Sequence, residues 1–443
     1  MGIPTRALCW LVFAGLAMLS VSTAAQWKYP PAPTSDAADT WHGKRYEDPY
    51  RPLENTADQR VAAWYKSQAE LTDGTLAKIS GRDALVREWL SMDKRTPPRY
   101  RQFQLEGGRL FYRKTVGGEN VGKIYFRQGW EGKEQLLFDP TTYKKGSDTA
   151  VKLFVPSFDG KNVVLGLAAK GAEWSELRVL RVDDKQLLPD SIYPAGWFGV
   201  GWFPDSAAFL YNGGDVTDVK SADIELNRKI RIHKLGSPTS DDRDILSNTS
   251  TPELEIASKE IPIGSVPESQ PDRLIGAVYT VQPEMRLYVA SVSALSGAHV
   301  ACKSLVHRSD NLVRGYLVYG EWLYAVTPAG APHYRVVRSL IDKPDWKNSE
   351  TVVPEAADSI DSIAQSENYM VVAYSDGDQR PDCSGSVVNR NTARSEASDH
   401  GRGRGVLSGH SQRPLPGYRQ RLVAAANDIR SRCRQRPGCE EFV

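Results

Sequence analysis

Between residues 160 and 212 the chain carries four short apolar runs, at 163–167, 177–182, 199–203 and 208–211. Each is bounded by Gly, Pro, Asp or Lys. Runs this short, rich in Val, Leu, Phe and Trp and separated by turn residues, read as antiparallel strands. The order is Asp-Gly-Lys, apolar strand, small polar turn, second strand, Asp, turn. That is one unit of a repeated β-meander. Such units bury both faces only by stacking on copies of themselves, and stacking around an axis makes a β-propeller. This stretch therefore predicts an all-β propeller.

The same punctuation runs on either side. Residues 109–114, 123–127 and 135–139 predict strands of a first blade, and 151–182 a second. A third begins near Ala195 and includes 229–235, followed by a polar loop at 236–250. Residues 274–281, 286–291 and 300–306 suggest a fourth blade, and 311–318, 322–327 and 333–339 a fifth. A sixth starts at 360–364 and 369–374. Ahead of the strands the period is helical. Thr56-Ala57-Asp58-Gln59 fits a capping box, with Val61, Trp64, Tyr65 and Leu71 following at near-helical spacing. A second helix is predicted over 83–90, with Leu85 and Trp89 on one face.

Compartment is read from the first residues. Arg6 precedes an apolar segment at 7–20, too short to span a bilayer, and Ser22-Thr23-Ala24-Ala25 offers small residues for cleavage. This order is that of a secretory signal peptide cut after Ala25. The expectation is a secreted or periplasmic protein with no membrane attachment after cleavage. A net charge of +2, with 25% charged and 40% hydrophobic residues, is that of an ordinary globular protein. It points to neither a nucleic-acid nor a membrane partner. Of the five cysteines, Cys9 lies in the signal, Cys302 stands alone, and Cys383, Cys433 and Cys439 lie near the end. They suggest no disulfide framework.

Several motifs carry a family resemblance. The run from Tyr46 to Glu54, YEDPYRPLE, resembles the DPYRWLED opening of prolyl oligopeptidases, with Pro52 where that family usually has Trp. Residues 166–171 with Trp174, then 180–183 and Leu188-Pro189-Asp190, resemble its second blade, and 202–205 with 209–212 its third. Phe138-Asp139-Pro140 resembles its LDPN turn. Residues 323–337 resemble its TNxDAPxxRLV strand, and Asp345-Trp346 with 351–355 its WxxVIPE signature. The resemblance runs from about Tyr46 to Gly377. It implies a propeller of the seven-bladed type, incomplete here, behind a short helical segment that packs on an α/β-hydrolase domain. It also implies a serine peptidase acting on Pro-containing oligopeptides, with Ser, Asp and His placed after the propeller.

None of those three can be carried over. Their Ser sits at a G-x-S-x-G elbow, and the sequence contains no such motif. Gly409-His410-Ser411-Gln412-Arg413 begins the pattern and breaks it, and Ser384-Gly385-Ser386-Val387 also fails. His42, His233, His299, His307 and His333 are scattered over strands and loops, and His400 and His410 fall in the final stretch. No H-E-x-x-H or C-x-x-C occurs. Gly196–Gly201 is glycine-rich but opens no helix, so it reads as a strand turn. Trp174 and Trp202 are read as blade packing rather than as a peptide-contacting rim. The expectation is no catalytic, cofactor-binding or metal-ligating residue, and no cofactor.

Beyond Gly377 the character changes. Residues 379–443 contain 12 Arg and no Lys, against 6 Asp plus Glu. The domain reading is thus a signal peptide at 1–25, a leader with helices at 26–95, an incomplete propeller at 96–377, and an Arg-rich tail at 378–443, disordered or out of frame. The leading functional reading is a truncated prolyl oligopeptidase-like chain, inactive alone and prone to dimerise or aggregate through open blade edges. The alternative is a secreted propeller that binds a protein or peptide.

Overall fold

The structure, a computed structural model, describes residues 27–375 apart from 145, 197–198, 298 and 366–368, together with the backbone of 385–389. The signal-like residues 1–25 and, save for one strand, the Arg-rich residues 378–443 lie outside the described residues. The chain divides into two compact units, Met1–Asp93 and Lys94–Val443.

In the first unit, β1 (Ala38–Trp41) and β2 (Lys44–Glu47) form a hairpin in which Trp41 pairs with Lys44. The turn residues His42 and Gly43 have φ of +49° and +78°. Two positive φ values suit the right-handed twist of a two-residue hairpin. Arg51 ties this hairpin to the next turn, through Asp39 and, at 3.0 Å, Asp48. Helix α1 (Gln59–Leu76) starts later than a Thr56 cap predicts. Asp58 is the cap, and its carboxylate accepts the Arg60 amide at 2.8 Å. A carboxylate there meets the helix dipole as well as an orphan amide, which a hydroxyl two residues earlier cannot. Helix α2 (Arg82–Arg95) is longer than 83–90. No apolar residue of α2 is buried: Leu85 is 45% exposed, Trp89 62% and Leu90 58%.

The second unit is a stack of antiparallel sheets. The first holds β3 (Arg99–Glu106), β4 (Arg109–Thr115), β5 (Lys123–Gln128) and β6 (Gln135–Phe138). The second holds β7 (Thr149–Pro156), β8 (Asn162–Ala169), β9 (Ser175–Arg181) and β10 (Leu187–Ala195). The third holds β11 (Gly201–Trp202), β12 (Ala208–Gly213), β13 (Lys229–Lys234) and β14 (Arg243–Leu246). The fourth holds β15 (Ile261–Ser265), β16 (Arg273–Tyr279), β17 (Arg286–Ser291) and β18 (Lys303–Val306). The fifth holds β19 (Val313–Tyr319), β20 (Trp322–Thr327), β21 (Arg335–Leu340) and β22 (Glu350–Val353). The sixth has three strands, β23 (Ser359–Gln365), β24 (Tyr369–Ser375) and β25 (Gly385–Asn389). Each sheet is a meander of four neighbours in chain order, or three in the last, which is the construction of propeller blades.

The repeat shows in its irregularities as well. The third strand meets the fourth with a register shift at Ile124/Tyr125, Ile230/Arg231, Leu287/Tyr288 and Val336/Val337. A bulge sharpens local twist, so four blades bend their outer strand at equivalent places. The apolar core lies between blades. Phe111, Ile124 and Phe126 of the first sheet pack with Phe154, Val163 and Leu165 of the second. Leu210 and Ile230 meet Leu274 and Val278, Ile275 and Leu287 meet Val318 and Leu323, and Tyr324 and Val336 meet Ile360 and Val372. At ~1.5–3 kcal/mol for each fully buried large side chain, these faces hold the stack together.

Turns fit as closely as faces. Gly107, φ +54°, lies so near the Asp159 carbonyl that a Cβ there would come within 2.1 Å of it. Gly160, φ +66°, faces the Glu106 carbonyl from the other side. Glycine is required at both by conformation and by the close approach of two hairpin turns.

Candidate functional site

The sequence offers no catalytic residue to carry over, and most of the described histidines have local partners. His42 sits in the β1–β2 turn. His299 is exposed, 3.5 Å from Glu253. His307 closes a short capping box with Asp310, and His333 takes Glu355 on its amide and the Ala356 carbonyl on its ring. His400, His410, Ser384 and Ser411 lie outside the described residues, whereas Gly385, Ser386 and Val387 belong to strand β25. Among the described residues no three His, Cys, Asp or Glu side chains gather as a metal site, and no helix is long and apolar enough to cross a membrane. Cys302 is half-buried, and burial pushes its thiol up to about 11, away from reactivity.

His233 is different. Strand β13 turns Lys229, Arg231 and His233 to one side, because alternate residues share a face. All three meet carboxylates. Lys229 and Arg231 both bridge Asp215 and Asp244, at 2.7–2.8 Å. The His233 ring lies between two more, with Nδ1 2.8 Å from Asp242 and Nε2 3.0 Å from Asp190. The imidazole is fully buried, and both carboxylates are nearly so. Tyr211 donates its hydroxyl to the second Asp242 oxygen at 2.7 Å, and the Gly236 amide donates to Asp190 at 2.7 Å. Burial alone pushes the imidazole pKa down, but the bonds to Asp242 and Asp190 outweigh it, and the net shift is upward. Burial and the Asp242 bond both push the Tyr211 phenol up.

A catalytic His–Asp pair leaves one ring nitrogen free for a nucleophile or substrate. Here both nitrogens are taken, and the imidazole and its two carboxylates are almost wholly shut off from solvent. The cluster joins the second sheet to the third. Sequence reading left His233 among scattered histidines. The available signal was the alternation Lys229, Arg231, His233 followed by Asp241-Asp242-Arg243-Asp244, a charged strand face ahead of a matching acidic turn.

Other buried charges serve the same purpose. Glu260 binds Arg286 at 2.6 Å and also Arg308, and accepts the Ala257 amide. Burial pushes its carboxyl up, yet the amide and the two guanidinium groups hold it below the usual range. Among the described residues Arg228 forms no ion pair with a carboxylate, although the Glu225 charge acts on it from a distance. It spans Asn212 and the Ile224 carbonyl beside the Trp174 ring, and burial pulls it down to about 10. Asn212 in turn donates to the Pro262 carbonyl at 2.8 Å, tying the third sheet to the fourth. Trp202, 3% exposed, donates to the Val155 carbonyl at 3.0 Å and packs on Phe209. Trp202 thus packs between blades, whereas Trp174 is half-buried beside the Arg228 guanidinium. Gly201 opens β11 rather than a helix, and a Cβ there would meet the Gly264 carbonyl at 2.9 Å.

Known proteins give this arrangement its context. Residues 30–380 match the family described as prolyl oligopeptidase, N-terminal β-propeller domain. A prolyl endopeptidase of Elizabethkingia meningoseptica is 23% identical over 372 residues, which is 81% of this chain and 49% of that protein. One from Elizabethkingia miricola is 22% identical over 77% of this chain and 47% of its own length. Among solved structures, one from a study of two prolyl endopeptidases and inter-domain dynamics aligns with a TM-score of 0.70 at 24% identity, covering 83% of this chain and 52% of that one. Prolyl oligopeptidase B from Galerina marginata, bound to a 35-residue hydrolysis and macrocyclization substrate, aligns at 0.68 and 19%, covering 84% and 54%. The chain spans about half the length of these relatives, and the half it matches is the propeller. It belongs to the prolyl oligopeptidase family and carries that family's N-terminal β-propeller domain.

Proposed function

We propose that this chain supplies the propeller part of a peptidase that cleaves Pro-containing oligopeptides, and that the 443-residue chain by itself hydrolyses none. The observation that carries the proposal is a mismatch. Its relatives are prolyl endopeptidases matched over only about half their length, and the sequence has no Gly-flanked Ser elbow. Triad chemistry needs an exposed Ser hydroxyl, a His with a free nitrogen and oxyanion donors beside them. The described His–Asp cluster offers none of these.

Two further parts of the proposal follow. The apolar side chains of α2, together with Tyr65, are a docking face for a hydrolase domain, in keeping with their exposure. The chain is exported, with cleavage after Ala25, and meets oligopeptides outside the cytoplasm. A sheet face of such a stack that no further blade covers is open to self-association.

The test is turnover of a chromogenic Gly-Pro substrate by the purified chain, with and without a serine-directed fluorophosphonate probe. No turnover and no labelled Ser is expected. Turnover abolished by the probe would overturn the proposal. Adding a relative's separately expressed hydrolase domain asks whether this propeller alters that domain's preference for short over long peptides. A secreted binding module would instead retain peptide with no effect on hydrolysis.

A further inference from the structure

We propose that Asp190, His233 and Asp242 form a protonation-dependent clamp between the second and third sheets, closed when the imidazole carries both ring protons and slack when it has lost one. The geometry carries it. A doubly protonated imidazole donates from each nitrogen, and each nitrogen faces a carboxylate oxygen at 2.8 or 3.0 Å. A neutral ring has one donor, so one of these pairs becomes a lone pair against a carboxylate. Asp190 stands on β10 of the second sheet, and Asp242 leads into β14 of the third. Losing either bond therefore loosens a contact between sheets or the turn that supports it.

The surroundings leave Asp190 dependent on this proton. Its Oδ1 takes the ring and the Gly236 amide, while its buried Oδ2 has no hydrogen-bond partner among the described residues. From the second sheet, Arg178 meets Asp190 at its main-chain carbonyl, its other nitrogens donate to the Tyr143 hydroxyl and the Leu188 carbonyl, and its charge is shared with Glu176 at 3.6 Å. From the third sheet, Tyr211 serves Asp242, Arg231 and Lys229 are committed to Asp215 and Asp244, and Lys234 lies on the opposite face of β13. The Phe209 ring, 5.2 Å from the imidazole, excludes water on that side. With the ring protonated the cluster carries one net negative charge; deprotonation leaves two, buried in a site of low dielectric.

The sign of the pH dependence follows. The folded-state imidazole lies above its ordinary value. The clamp's contribution is thus complete below about pH 6.5, the unfolded imidazole pKa, and is lost as pH rises through the folded value.

The experiment uses the full chain with 15N-labelled histidine. His233 is assigned by the resonance lost in His233→Gln, or, if that variant does not fold, by the resonance that moves in Asp190→Asn. The expected result is a His233 ring that is still doubly protonated at pH 6.5 and loses a proton only at higher pH than a free imidazole does. In step with it, Gly236 and β14 amides lose exchange protection, by about tenfold for each pK unit of upward shift after correction for intrinsic exchange. Asp190→Asn should move that titration to lower pH. A neutral, single-tautomer His233 ring at pH 6.5 would overturn the clamp. So would protection of Gly236 and β14 that stays flat across the His233 titration.

Discussion

The two units of this chain treat their large side chains in opposite ways. In the propeller unit, aromatic and aliphatic residues disappear between sheets: Phe111, Phe209 and Ile124 are fully buried, and Trp202 is 3% exposed. In the described part of the helical unit, Val61 alone among apolar residues is buried, and Trp89, Leu90 and Met92 are each more than half exposed. The propeller sequence satisfies itself, because each meander finds its partner in the next copy. The helices have amphipathic patterns but meet no such copy. A stripe of this kind is the surface that the proposed hydrolase docking would cover.

The largest test of that contrast is in a blade interface. Phe209→Ala removes a ring packed against Trp202, Tyr211 and His233. It should destabilise the propeller by about 3–5 kcal/mol, read as a lowered urea midpoint of strand signal. A loss below ~1 kcal/mol would mean that the blades are not held by these faces. Next is Gly107→Ala, whose methyl would meet the Asp159 carbonyl from a left-handed backbone. A loss of about 2 kcal/mol or more is expected. In contrast Gly43→Ala has open space around its Cβ and meets only the cost of its positive φ. The pair separates close approach from backbone conformation.

A smaller effect should appear on acidification. The Glu260 carboxyl lies below its usual range, so its contribution is present above an ordinary glutamate pKa, about 4.3. It is lost as pH falls through the folded value. Glu260→Gln should therefore be less stable than wild type near neutrality and show a flatter acid limb. Parallel acid limbs for the two proteins would remove Glu260 from the account.

These sites differ in how far the sequence announced them. The runs at 163–167, 177–182 and 208–211 fall on β8, β9 and β12, the second overrunning β9 by one residue, and these strands are flanked on both sides and apolar for that reason. Strands β3, β10, β14 and β15 escaped strand assignment, β14 lying inside the run 236–250 that reads as a polar loop, and each ends its sheet. Residues 187–195 carry Pro189 and Pro194, and 261–265 carry Pro262 and Gly264. Such residues read as turns, yet an edge strand tolerates them because one side of its backbone needs no ladder. The first strand, Arg99–Glu106, is polar for the same reason. The His233 cluster was harder, since its two carboxylates lie 43 residues before it and 9 after. Only sheet stacking brings them together.

The smallest expected effect bears most directly on the helices. Leu85, Trp89 and Met92 recur at the i, i+4, i+7 spacing of one helical face, and each is at least 45% exposed. Truncating a side chain already in water removes little transfer free energy, so Trp89→Ser should change stability by less than ~0.5 kcal/mol. Its effect should appear elsewhere, in reduced binding of a dye that reports apolar surface, and in weaker association with a relative's hydrolase domain, measured by calorimetry. Phe209→Ala, by comparison, should lose stability and bind more dye. If Trp89→Ser instead cost as much as the blade substitution, the helix would be packed in solution and the contrast between the two units would fail. Unchanged dye binding and unchanged association would leave the contrast in burial intact but remove Trp89 from any docking role.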